Sequence, residues 1–181
     1  MQVFERNFTI ALLSLFLFLL SSCLKTDKTM EEMKPYEGPL MELDNMETTY
    51  SDSADVRVRL KAKKQVALQN GNREFPEGVL VEFYNDKKVT STLTSNFARY
   101  YKETNKYMVS GNVIIKNLEE GKTMNTEELF WLPLEERIYV EKDKQVIITT
   151  QTDVLYGKGL EAKEDFSSYK ILHPTGTSTL K

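Results

Sequence analysis

Four groups of residues in this chain carry side chains capable of chemistry: the thiol of Cys23, the imidazole of His173, a set of acidic pairs, and Gly157-Lys158-Gly159. A thiol beside an imidazole makes an activated nucleophile. Two carboxylates flanking a cleft can serve as the acid and nucleophile of glycoside hydrolysis. A glycine-rich loop opening a helix cradles phosphate. Each arrangement lacks its second half here. His173 sits beside Pro174 near the carboxyl end, with no thiol, serine triad or metal-ligand companion at a workable spacing. Glu119-Glu120, Glu127-Glu128, Glu135-Glu136 and Glu164-Asp165 fall at turn signals or on wet faces, where carboxylates are simply solvated. No helical pattern follows Gly159, and the wider glycine spacing of a phosphate loop is missing. The sequence predicts no catalytic centre, no metal site and no cofactor. The chain reads as a non-enzyme.

Cys23 is the only cysteine, so no disulfide framework exists. It closes an apolar run that begins at Phe8 and reaches Leu20, followed by Ser21 and Ser22. A membrane-spanning helix needs roughly 20 residues, and this run is shorter. A basic residue, an apolar run and small residues in that order describe a secretory signal, although Glu5 offsets Arg6. Leu20-Ser21-Ser22-Cys23 resembles the lipobox of bacterial lipoproteins. That resemblance implies cleavage before Cys23, acylation of its sulfur and new amino terminus, and attachment to a membrane by lipid. Each buried methylene of such a chain contributes about 0.8 kcal/mol, so several chains together hold firmly. Residues 1–22 are therefore expected to be a lipoprotein signal peptide, and 23–49 the lipid anchor and a flexible tether.

The remainder of the chain must be the domain that this anchor holds. The formal net charge is −3 and is mixed along the chain, without the basic stripe of a nucleic-acid binder. No second apolar run is long enough to span a membrane. From Asp55 the pattern becomes alternation: Val56, Val58, Leu60 and Ala62 on one parity, Arg57, Arg59, Lys61 and Lys63 on the other. Period two is the signature of a strand with one buried and one wet face. Val79, Val81 and Phe83 repeat it, and Asn85-Asp86-Lys87 turns the chain. Leu93 and Phe97 share a parity opposed by Thr90, Thr92 and Thr94; Tyr107, Val109, Gly111, Val113 and Ile115 share the next, and Leu129 and Trp131 another. Short strands are expected at 138–141, 145–150, 154–156 and 168–172. Turn signals every 8–12 residues or so indicate an antiparallel all-β sandwich or rolled sheet.

Several segments, in order, carry a resemblance to a family. Tyr50-Ser51-Asp52-Ser53-Ala54 precedes the first long strand, and Phe75-Pro76-Glu77-Gly78-Val79 leads to Ser95-Asn96-Phe97-Ala98-Arg99-Tyr100. Tyr107-Met108-Val109-Ser110-Gly111-Asn112-Val113 is followed by Met124-Asn125-Thr126-Glu127-Glu128-Leu129-Phe130-Trp131. Gly157-Lys158-Gly159-Leu160-Glu161-Ala162 and Phe166-Ser167-Ser168-Tyr169-Lys170-Ile171 complete the set. The stretch resembles LptC, the membrane-tethered periplasmic component of the lipopolysaccharide export machine. Members usually carry a transmembrane helix at the amino terminus; this chain has a lipobox-like segment there instead.

The resemblance implies an antiparallel β jelly roll, a half-open taco of the OstA-like type, over residues 50–173, with 174–181 as a tail. Apolar alternation by itself is open between a filled core and a groove. In the family, the same parity lines a groove for the acyl chains of lipopolysaccharide, and the candidates here are Val81, Phe83, Leu93, Phe97, Tyr107, Val109, Val113, Ile115, Leu129 and Trp131. Open sheet edges would pair with partners: the periplasmic jelly rolls of the ABC transporter permease subunits on one side, an LptA-like bridge protein on the other. Val56, Val58 and Leu60 on the first strand, and Tyr169 and Ile171 on the last, are the edge candidates. Gly111, Gly157 and Gly159 are expected at turns or bulges. Localisation would be periplasmic and lipid-anchored, at the inner membrane by the family role, with the outer membrane open. The alternative is an outer-membrane lipoprotein with a closed β-sandwich, acting as a scaffold or glycan-binding module.

Overall fold

The computed structural model describes Tyr36 and residues 38–179, so the signal segment and Cys23 lie outside the described residues. Among the described residues, no helix is long and apolar enough to cross a membrane. The chain forms strands β1 (Met41–Asp52), β2 (Asp55–Ala67), β3 (Arg73–Phe75), β4 (Val79–Asn85), β5 (Lys88–Ser95) and β6 (Phe97–Tyr101). It continues through β7 (Lys106–Asn117), β8 (Lys122–Leu132), β9 (Arg137–Thr149), β10 (Asp153–Lys163) and β11 (Tyr169–Thr179). A 3-10 turn, Pro133–Glu135, joins β8 to β9.

All pairings among the described residues are antiparallel, and the topology is simpler than eleven strands suggest. Strand β2 pairs with β3 through Val66↔Glu74 and with β4 through Leu60↔Val81. Strands β3 and β4 meet β6 and β5 through Phe75↔Ala98 and Val81↔Leu93. Strand β7 then takes β6 at Tyr107 and β5 at Ile115. The pairs β3/β4 and β5/β6 are thus two bent strands, and the sheet is one continuous meander with β1 and β11 at its edges.

The bends line up from strand to strand and form a crease. They fall at Gly78, Asn96, Gly111-Asn112, the Thr126–Phe130 register break and the Lys158–Leu160 break. Gly78 has φ +81°, and a Cβ there would lie 2.0 Å from the carbonyl oxygen of Ser95. Gly159 has φ +67°, and its Cβ would meet Lys142 Cα at 2.9 Å. Both positions need left-handed backbone and close approach together, which only glycine supplies without strain. The crease divides the meander into two leaves that face one another. The first holds β4, β5 and the adjoining halves of β7 and β8; the second holds β3, β6 and the other halves.

The inner faces supply the core. In β4 the pattern Val79, Val81, Phe83 is buried while the intervening side chains are only partly covered. Aromatic contacts cross between leaves: Phe83 meets Trp131 edge-on, with centroids 5.7 Å apart. Burying a large side chain of this kind contributes on the order of 1.5–3 kcal/mol.

Several sequence expectations need correction. Residues 41–49, expected as tether, belong to β1, which covers the first expected strand along its whole length. Strand β2 is therefore interior, and Val56, Val58 and Leu60 do not lie on an edge; Val58 and Leu60 point into the core. Strand β1 leaves little alternation in the sequence because it is exposed nearly throughout, with only Met46 and Thr48 partly covered. Backbone pairing holds it, with Lys64–Glu42 at 2.7 Å and Arg59–Glu47 at 3.2 Å. Residues 174–179, expected as tail, continue β11. The two strands expected at 138–141 and 145–150 are one, β9, with Glu141-Lys142-Asp143-Lys144 bulging at the crease.

Candidate functional site

The inner surface between the leaves gathers the apolar residues that share parity in the sequence. Val81, Phe83, Leu93, Tyr107, Val109, Val113, Ile115, Leu129 and Trp131 are all 0–2% exposed. Phe97 is the exception and is only half-buried. The bend at Asn96 resets the alternation, so Ala98 takes the inward position and Phe97 lies on the other face near the Arg99 guanidinium. Met124, Ile138, Val140, Val146, Ile148 and Leu160 complete the lining. Their alternation in β8, β9 and β10 is visible in the sequence. Phe75, in the short β3, and Phe166, in a turn, carry no periodic signal.

The interior is packed shut around Trp131. Its ring stacks on Tyr107 with centroids 4.9 Å apart, Tyr50 approaches edge-on at 6.5 Å, and Tyr107 touches Tyr100 at 4.8 Å. The leaf tips opposite the crease meet through polar contacts. The hydroxyls of Tyr50 and Tyr107 lie 2.8 Å apart, and burial pushes the Tyr107 phenol well above its ordinary range. Within the second leaf, Trp131 Nε1 donates to Glu164 Oε2 at 2.6 Å. Burial raises the pKa of Glu164, and the nearby Glu136 and Asp165 add to that, while the indole hydrogen bond opposes it.

Clefts among the described residues include two that open toward the interior. One, of about 390 Å³, lies at the crease between Met46 and Ala62 on one side and Gly78 and Val79 on the other. The second, about 240 Å³ and polar, lies between the leaf tips, lined by Arg57, Phe83, Asn85, Glu136, Lys163 and Glu164 among others.

The two sheet edges differ. Strand β1 exposes Met41 and Leu43 beside Glu42, Asp44 and Glu47. Strand β11 carries the candidates Tyr169 and Ile171, both half-buried against the core. Gly111 lies at the crease against Asn96; Gly157 lies in β10 opposite Pro174 at a register shift, and Gly159 at the next one. His173 is exposed in β11. No cluster of three metal-ligating side chains occurs among the described residues.

Comparison with protein families matches residues 9–179 to the family described as "Lipopolysaccharide-assembly, LptC-related". No curated protein matches the chain.

Proposed function

The chain belongs to the LptC family of lipopolysaccharide assembly and thereby to lipopolysaccharide transport; on that footing we propose that its interior binds lipid acyl chains and that its edge strands bridge transport partners across the periplasm. The observation that carries this reading is a continuous apolar interior, Val113 and Ile115 from one leaf and Leu129 and Trp131 from the other, running along a sheet whose two edge strands each pair on one side only among the described residues. Acyl chains would enter as the leaves part, replacing side-chain contacts across the interior with contacts to lipid.

Outward backbone groups on β1 and β11 give each edge the means to extend the sheet into a neighbouring jelly roll. One edge would meet the permease subunits of the ABC transporter, the other an LptA-like bridge protein. Energy for movement comes from ATP hydrolysis elsewhere, and this chain contributes no catalysis. Lipidation at Cys23 would replace the transmembrane helix usual in the family and hold the domain at the inner membrane.

A photoreactive residue at Val113 or Leu129 in cells should capture lipopolysaccharide. Failure at every lining position while transport runs would sink the groove. One observation favours the second reading, a closed scaffold or glycan-binding module at the outer membrane: Trp131 is 1% exposed and fully surrounded. The same crosslinking separates the two, because a permanently closed core captures no lipid.

A further inference from the structure

The turn between β10 and β11 is built unlike the other connections of the meander. Asp165 is half-buried, Ser167 and Ser168 are exposed, yet Phe166 between them is 0% exposed. Its ring enters the interior and stacks on Tyr169 with centroids 5.1 Å apart. Its backbone is left-handed, φ +55°, a conformation a bulky residue adopts only when its surroundings impose it. The turn belongs to the tip of the second leaf, but its carbonyls are held by the first. Ser91 Oγ donates to the Asp165 carbonyl, and Asn117 Nδ2 donates to the Phe166 carbonyl at 3.4 Å. Ser91 and Asn117 are themselves buried polar residues, at 0% and 3% exposure, on the same parity as the core residues Leu93 and Ile115 of their strands.

A turn that merely reversed the chain would need none of this. Residues 150–153 reverse it between β9 and β10 through local bonds between Thr150 and Asp153. We propose that residues 164–168 form a clasp across the mouth of the roll, and that Phe166 occupies the place an acyl chain takes when the leaves part. The proposal rests on the acyl-groove reading of the interior. Phe166 is suited to the part: an apolar group inside, on a strained and otherwise exposed turn, fixed by hydrogen bonds to two neutral side chains that can be released singly. The polar cleft beside it, where Arg57 and Asn85 face Lys163 and Glu164, leaves the tips unsealed at this point and gives the clasp room to swing.

The test uses the full chain in cells with the photoreactive residue at Leu129, in the native background and with Ser91→Ala. Removing that one hydroxyl loosens the clasp, and capture of lipopolysaccharide is expected to rise several-fold at equal protein level. Hydrogen exchange on the unsubstituted chain gives an independent reading. The amides of Lys163 and Phe166 close the turn through bonds to Ser168 and Lys163 at 3.0 and 2.9 Å, and should exchange several-fold faster with lipopolysaccharide bound. Equal capture in both backgrounds, together with unchanged or slower exchange, would overturn the clasp and leave the groove standing. No capture at Val113, Leu129 or Trp131 in either background would overturn the groove and the clasp with it.

Discussion

The hydroxyl of Tyr50, on the edge strand β1, lies 2.8 Å from the hydroxyl of Tyr107 on the opposite leaf, and both rings bear on Trp131. The two partners are unequally placed: Tyr107 is 2% exposed and Tyr50 37%. Their contributions to stability must differ accordingly. Tyr50→Phe leaves the Tyr107 hydroxyl buried without its partner, at a cost of about 1–2 kcal/mol. Tyr107→Phe leaves the Tyr50 hydroxyl able to turn to water and costs roughly half that or less. Urea unfolding midpoints of the two variants check the order. If Tyr107→Phe is the more damaging, the hydroxyl pair does not hold the leaves together.

The same burial makes the phenol a pH-sensitive element. Desolvation raises the Tyr107 pKa above the unfolded value near 10. Stability from its burial is therefore fully present below that pH, and is lost as alkali converts unfolded chains to the phenolate first. Above about pH 10 the native chain should lose stability faster than the Tyr107→Phe variant. Parallel slopes for the two proteins would show that Tyr107 ionises freely in the fold.

Glu164 shifts the same way and for the same leading reason. Its folded pKa is raised, burial being the largest cause, so its neutral form is favoured in the fold. The stability gained is complete below the unfolded pKa and declines as pH rises through the folded one. Glu164→Gln keeps an acceptor for Trp131 Nε1 and removes the charge. It should be more stable than the native chain at about pH 7, with the advantage vanishing toward about pH 4. Thermal midpoints measured across that range decide it; an advantage that grows on acidification contradicts the assignment.

How much of the fold is legible in the sequence depends on which physical signal each element leaves. Strands β4, β7 and β8 bury one face, so Val81, Val113 and Trp131 declare themselves by period two. Strand β1 buries almost nothing and is held by backbone hydrogen bonds, which any residue can make. It leaves no pattern, so its neighbour β2 reads as the edge. Phe97 shows the complementary failure. Alternation extends across Asn96 in the sequence, but the crease inserts a bend there and reverses which side faces inward. Phe166 and its clasp have no periodic signal at all, because a lone apolar residue in a polar turn reads as surface.

The crease itself is testable through its glycines. Gly159→Ala forces a Cβ to within 2.9 Å of the Lys142 backbone at φ +67° and should cost about 2 kcal/mol or more. Gly176, also in the last part of the sheet, has nothing within 4 Å of its Cβ site, and Gly176→Ala should be nearly neutral. Denaturant titration of both variants provides the comparison. Equal effects would mean that the crease tolerates ordinary backbone and that the leaves are not fixed by it.

The bridging role proposed for the β11 edge makes a specific demand on its backbone. Along an edge strand, the N–H groups of successive residues alternate between the neighbouring strand and open solvent. Strand β11 pairs with β10 through Leu160↔Ile171 and Glu161↔Lys170, so one of these two adjacent residues sends its amide outward and the other inward. Proline removes the donor at whichever position it occupies. Scanned over Tyr169, Lys170, Ile171 and Leu172, proline should therefore alternate in effect. At inward positions it breaks a bond to β10 and lowers the melting temperature. At outward positions, Ile171 being the first to try, it leaves the fold nearly intact but weakens co-purification with the bridge protein. Co-purification that survives proline at all four positions would remove β11 as the bridging edge and leave β1, with its exposed Met41 and Leu43, as the remaining candidate.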